Sequence, residues 1–408
     1  METSTGSLLT TAALRAGDRA AELVEPATVL LADHLACLLA RAVGEGRPAG
    51  GVRATPWEQD GTLGLVASWA IRAHALDMDD INWSTLTHPG SIVWPVVLAL
   101  GAESSAPAET LLRAAAAGYE MVTAVASVIA PVHGPRLHAT ATSGGAGAAV
   151  AAAVLLDLGP EHVTAAVSHA LSMSGGAGQA TLERSGTTAF HRAVAATTGV
   201  LAARAAQRGL TASLSSLDGP RGLLAMWGGS GPVELPDSPG GLATTSIRPY
   251  PVSGFLQTVV AVVVAARAAA TGRVRSITVR AASVVLDLTR DSGDPRWSLV
   301  DVVAAAWDSA DPYAAADGPA YSRAALRGLI SAEPDGRSVW AAGVEVVTEN
   351  ERIVRESSDP PGLHPTVAQV QRKWEHLGAG DPADPCGWAG DLLTGRAAVT
   401  EMVRDGRW

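Results

Sequence analysis

From Thr28 to Gly209 the chain is a run of apolar, alanine-rich segments at helical spacing, separated by glycine and proline. TVLLADHLACLLARAVG ends at a glycine, AETLLRAAAAGYEMVTAVASVIAP stops at Pro131, and TSGGAGAAVAAAVLLDLG ends at Gly159. Pro160 opens PEHVTAAVSHALSMS, and HRAVAATTGVLAARAAQRG closes at Gly209. Apolar residues three and four apart share one helix face, glycine ends a helix cheaply, and proline fits its first turn. With so many Ala and Gly the helices are thin and pack closely. No fixed repeat period is present. A chain of 408 residues with 47% hydrophobic and 17% charged side chains is long and apolar enough for a large core and two domains.

The pattern changes near SIRPYPVSGF. One more helix is expected at about 255 to 271, then RVRSITVRAA alternates with β-branched residues as a strand does, and SVWAAGVEVVTEN reads as a second strand. Between the strands lies polar, irregular sequence, RDSGDPRWSLVDVVAAAWDSADPYAAADG. Helical spacing returns in PTVAQVQRKWEHLG and AGDLLTGRAAVTEMVRDG. The fold class expected is mainly α: a large helical domain from residues 1–245 and 366–408, with a smaller α+β domain, 246–365, inserted into it.

Several function classes fall away. The formal charge is −10 and no basic tract exceeds two residues, so no nucleic-acid partner is expected. Cys37 and Cys386 are the only cysteines, too few for a disulfide framework and suited to a reducing compartment. The first residues lack the basic start and apolar core of a secretion signal. FLQTVVAVVVAA, 255 to 266, is too short to cross a bilayer and is followed by Arg267. A cytoplasmic protein without a membrane partner is expected. Of the 30 basic side chains all but Lys373 are arginine, so lysine chemistry rests on one residue.

Titratable groups concentrate in HALDMDDINWSTLTHP, 74 to 89. Read as the end of a helix beginning at LGLVASW, three-residue spacing places His74, Asp77 and Asp80 near one face, with Asp79 elsewhere. A carboxylate ending an apolar helix is costly unless paired, and its pKa responds to burial, as a general base requires. The alternative is a solvated helix end with a structural histidine. A loop follows, then a helix capped by Ser91 with Pro95 in its first turn. His88 lies just outside that N-terminus, where anions are welcome. The spacing has no calcium-loop glycine and glutamate, and neither HExxH nor CxxC occurs, so no metal is expected. In HATATSGG, His138 stands beside Thr140 and Thr142, and Gly144, Gly145 and Gly147 suit close helix contact better than a phosphate cradle. ERSGTTAFHRAVA places Arg184, His191 and Arg192 ahead of an apolar helix, either as a solvated start or as a carboxylate clamp.

Taken together, these motifs resemble the MmgE/PrpD family, which includes 2-methylcitrate dehydratases, cis-aconitate decarboxylases and an iminodisuccinate epimerase. AHALDMDDINWSTLTHPGSIVWPVVLALGAE is similar to its most distinctive stretch. AAAAGYEMV, LHATATSGGAGAAV, FHRAVAATTGV, RPYPVSGF and PTVAQVQRKWEHLG follow in the family's order. The resemblance implies a homodimer of a helical domain and an α+β lid with the active site between them. It also implies cofactor-free, metal-free proton removal beside a carboxylate or carbonyl, with loss of water or carbon dioxide. It assigns the catalytic aspartate to Asp77 and the two histidines to His88 and His138.

Departures from the family pattern bear on the substrate. The threonine four residues after the aspartate falls on Ile81, with Trp83 nearby; one lysine falls on Thr188 and the other on Arg248. A cysteine or histidine falls on Ser253, a histidine on Gln257, and a lid tyrosine on Asp301. Each lost charge-assisted bond to a tricarboxylate forfeits about 1.5–3 kcal/mol. A specialised small-molecule intermediate is therefore expected in place of a tricarboxylate, its carboxylate held by Arg248, Arg184 or Arg192. Asp77 or His138 takes a proton and His88 gives one. Two other readings stand beside this lyase or isomerase: a cyclase acting on a larger, mostly neutral intermediate near Ile81, Trp83 and Trp94, and a non-catalytic dimeric binding protein.

Overall fold

The structure is a computed structural model that describes residues 4–40, 60–133, 136–229, 240–290, 294–309, 324–379, 384–395 and 397–401. The chain divides into two compact units, Met1–Ser246 with Pro365–Trp408, and Ile247–His364. The fold is mainly α, with one small mixed sheet.

The larger unit is helical. Its principal elements are α1 (Thr5–Asp18), α2 (Val24–Leu39), α3 (Gly61–His74), α4 (Gly90–Ser104), α5 (Ala108–His133), α6 (Ala139–Leu155), α7 (Pro160–Ser172) and α8 (Thr187–Gln207). Helix α6 is the hub and packs on α4, α5, α7 and α8. It does so because it carries little beyond its backbone: a Cβ on Gly144 would collide with Ile92 of α4, and one on Gly147 with Val122 of α5. Gly145 is less demanding, since its Cβ would meet Ala195 and Ala170 at 3.7 and 3.9 Å. Gly199 of α8 likewise lets that helix lie against Ala148 and Ala149. Close approach between glycine and alanine rows replaces large side chains as the packing device.

Some sequence boundaries needed correction. Helix α5 runs through Pro131 to His133, because proline removes one hydrogen bond without forbidding two more helical residues. Gly44, expected to end α2, lies outside the described residues; the helix ends at Leu39. The expected terminal helix is broken: Pro385–Leu393 ends before Gly395, whose φ of +77° no helix accommodates, and a new turn starts near Val399.

The smaller unit holds α9 (Gln257–Ala269), β1 (Val274–Ala282), α10 (Ser283–Thr289), α11 (Leu299–Asp308), β2 (Ile330–Asp335), β3 (Ala342–Thr348) and β4 (Arg352–Ser357). The sheet order is β2-β1-β3-β4; β1 and β2 are parallel and the other pairs antiparallel. Helix α9 lies on β3, β4 and α11, burying Val259, Val260, Val262 and Val263 among Ile277, Val279, Val344 and Val346. The two sequence-expected strands are β1 and β3. The stretch read as irregular contains α11, which starts where the Ser298 hydroxyl caps the Asp301 amide.

The chain returns to the larger unit through α12 (Val367–Leu377) and α13 (Pro385–Leu393), both packed on α2. Thr366 and Gln369 form a reciprocal capping box at the start of α12.

Candidate active site

Helix α3 stops at His74, six residues before the sequence pattern places its end. The Asp77 amide donates to the His74 carbonyl at 2.8 Å, and Asp77 adopts φ of +56°. That left-handed turn, which aspartate tolerates better than most residues, sends the chain back on itself. The face predicted to hold His74, Asp77 and Asp80 together is thereby replaced by another pairing. Asp79 returns to His74, with 2.9 Å between Asp79 Oδ1 and His74 Nδ1. The segment is not a solvated helix end, for Asp77, Asp79 and Asp80 are all buried.

The loop beyond is pinned on both sides. Ile81 exchanges two backbone hydrogen bonds with Ser246, and Asn82 bridges Thr87. Asn82 Oδ1 accepts from Ser84 Oγ and the Thr85 amide, closing a local turn. Helix α4 then begins at Gly90, with Pro89 as its N-cap residue. Ser91 is no cap: its hydroxyl donates to the His88 carbonyl and accepts from Arg192 Nε at 3.1 Å. Because the helix starts early, Pro95 falls in its second turn and leaves the Ser91 carbonyl without an i+4 amide donor. His88 stays just outside the N-terminus.

Asp79 is the junction. His74 meets one oxygen; Arg192 Nε lies 3.4 Å and His88 Nδ1 3.8 Å from the other. His88 Nδ1 lies 2.7 Å from the Asp80 carbonyl oxygen. A carbonyl only accepts, so His88 donates from Nδ1 and turns Nε2 away from that bond. His138, N-cap residue of α6, has its Nδ1 3.2 Å from His191 Nδ1 on α8. Two imidazole nitrogens so placed share one proton. Burial first, then the Arg192 guanidinium and the neighbouring rings of His88, His191 and His74, which would repel it when protonated, hold His138 well below the usual histidine range. Burial and Arg192 lower His74 as well, against the pull of Asp79. Burial and Arg192 thus favour neutral His74 and His138 near a carboxylate that already has its cation.

Asp80 forms the floor. Its carboxyl accepts from Tyr119 Oη at 2.6 Å and from the Gly90 amide at 2.9 Å. Burial, partly opposed by the Tyr119 hydrogen bond, raises it to about 7. A Cβ at Gly90 would stand 2.5 Å from Asp80 Oδ2 and 2.6 Å from Tyr119 Oη, so only glycine fits there.

The other sequence-singled residues divide. Arg192 lies inside α8 and is buried, bound to Asp79, Ser91 and the Thr188 carbonyl, so it serves the cluster's own charge balance. Arg184 donates to the Thr181 carbonyl at 2.7 Å. The Thr188 hydroxyl donates to the Ser185 carbonyl. Ile81 and Trp83 are buried. In the smaller unit, Arg248, Ser253 and Gln257 are buried. Gln257 spends its amide on the backbone of Tyr250 and Val252, shaping the RPYPVS turn, and Asp301 pairs with Arg327 at 3.0 Å. Sequence reading missed the Asp79–His74 pairing, the Asp80–Tyr119 bond and the His138–His191 contact. The Gly-Tyr-Glu motif and the glycine after His-Pro were the available signals.

One atom each of His74, Asp77 and Asp79 lies within 4.8 Å of the others, which is compact enough to surround a cation. Arg192 already supplies positive charge to Asp79, and a divalent ion beside it would meet like charge at short range.

Among the described residues one helical stretch, Ala108–Ala130, is long and apolar enough to cross a membrane, and 89% of it is buried within the fold. A comparison with curated proteins finds no match. The family model described as the MmgE/PrpD N-terminal domain matches residues 11–236, which include Asp77, His88 and His138. Members of that family are typically lyases and dehydratases, a chemistry that needs buried acid–base groups of this kind. With more than half its length matched by the family model, the chain belongs to the MmgE/PrpD family.

Proposed function

We propose that the protein is a metal-free lyase or isomerase acting on a specialised-metabolism intermediate other than a tricarboxylate. Asp77 or neutral His138 removes a proton from carbon beside a carboxylate or carbonyl. The electron pair moves onto the adjacent oxygen, and its return either expels a β-hydroxyl, protonated to leave as water, or takes a proton back onto the carbon. In a decarboxylation the C–CO2 bond breaks instead of the C–H bond, its electron pair passes to the conjugated carbonyl, and the carbon is then protonated. His88 returns the proton. Arg248 anchors the substrate carboxylate, and residues 246–365 act as a lid. The junction at Asp79 carries this reading: one buried carboxylate orients His74 and lies near His88 and Arg192, whose charge helps hold His138 neutral and so able to accept a proton.

The test is solvent deuterium uptake. The protein is incubated in D2O with a panel of small hydroxy, keto and unsaturated carboxylic acids, and deuterium beside the carboxylate is read by mass spectrometry. Asp77→Asn is expected to stay folded and to lose uptake; full uptake in that variant overturns the role of Asp77.

A second reading, cyclisation or rearrangement of a larger neutral intermediate, is favoured by the commitment of Arg192 to Asp79 and by buried Ile81 and Trp83. Shape and exclusion of water would then dominate, and product would form without obligatory deuterium uptake. Under either reading a cytoplasmic homodimer is proposed. Exposed Phe190, Val194 and Leu201 lie along one stripe of α8 and suit a second copy of the chain.

A further inference from the structure

Lys373 is the only lysine of the chain and is completely buried on α12. Its ammonium donates to Asp33 Oδ1 on α2 and to the Met78 carbonyl, both at 2.6 Å. An ammonium sealed from water must place its three protons on protein acceptors; Asp33 and the Met78 carbonyl take two, and Cys37 is a further hydrogen-bond partner. Asp33 supplies the compensating charge. The second acceptor is informative, because Met78 lies between Asp77 and Asp79. Its carbonyl belongs to a segment that has left α3 and has no helical ladder to hold it. Fixing that oxygen fixes the plane of the peptide joining residues 78 and 79. This sets the direction in which Asp79 leaves the chain toward His74, and it supports the left-handed turn at Asp77.

We propose that Lys373 is a positioning residue: through the Met78 carbonyl, the returning C-terminal helix locks the Asp77–Asp79 segment in the geometry the acid–base cluster requires. Its relevance to turnover rests on the function proposed above, but the positioning is measured without substrate, so either can fail alone.

Two double variants separate positioning from a merely structural ion pair. Asp33→Leu with Lys373→Met removes charge and donor together and leaves no bare buried charge. Asp33→Asn with Lys373→Gln removes the charge but keeps a donor for the Met78 carbonyl. Two readouts are followed by mass spectrometry: amide exchange across residues 75–82, and imidazole C2-hydrogen exchange of His74 against pH. The first variant is expected to exchange its 77–80 amides at least about tenfold faster and to shift the His74 titration, and the second to restore both toward native. Equal behaviour of the two variants, native-like or disturbed, overturns the proposal. If the first variant does not fold, the native protein decides. With 15Nζ-lysine it gives one ammonium resonance, expected to exchange its protons slowly; rapid exchange overturns the proposal.

Discussion

Tyr119 donates its phenolic hydrogen bond to the Asp80 carboxyl at 2.6 Å, with both side chains buried. Replacing Tyr119 with Phe leaves that carboxyl with one fewer donor. A loss of about 1–3 kcal/mol in stability is expected, read by denaturant unfolding at neutral pH.

The same carboxyl gives a pH signature. Its ordinary value is 3.8, and burial raises it to about 7 in the folded protein. Between those values the native state holds a proton that the unfolded chain has released, so this group lowers stability as pH rises from about 4 to 7. Asp80→Asn is expected to remove that slope. Melting temperatures of wild type and variant across the interval check it, and parallel profiles would contradict it.

His34 on α2 acts in the opposite sense. It is buried, no hydrogen-bond partner of its Nε2 occurs among the described residues, and burial lowers it from 6.5 to about 3. The unfolded chain takes up this proton below 6.5 while the native state does not, so stability falls as pH drops through that range. His34→Leu is expected to flatten the acid limb of the unfolding profile and to be nearly neutral at pH 7.

Much of this arrangement was legible in the chain, and the rest was hidden for identifiable reasons. The helical succession showed because glycine and proline punctuate it, and β1 and β3 because their inward residues are β-branched. Strands β2 and β4 did not, since ISAEPD and RIVRES are polar edge strands that gain their conformation from pairing with β1 and β3. Asp77, His88 and His138 were singled out by resemblance. The pairing of Asp79 with His74 was not readable, because one left-handed residue replaces helical phase with a reversal. Arg192 was singled out in the sequence, but its partners were not readable, since its bond to Ser91 spans 101 residues.

The reversal at Asp77 separates backbone from chemistry. Asp77→Gly fits a φ of +56° without strain and is expected to change stability by no more than about 1 kcal/mol. It is also expected to abolish deuterium uptake into substrate. A folded, fully active glycine variant would show that the carboxylate is dispensable.

The α8 stripe tests assembly. Val194→Asp with Leu201→Asp is expected to reduce the mass in light scattering from twice to once the chain mass of 41.5 kDa. An unchanged mass would move the interface elsewhere.

The burial of Lys373 has a practical corollary. The folded surface offers no lysine amine, so acylating reagents, aldehyde fixatives and enzymes that acetylate or ubiquitinate lysine find no such target while the fold is intact. Their reaction at that position would report unfolding, which makes the chain its own probe of conformational opening.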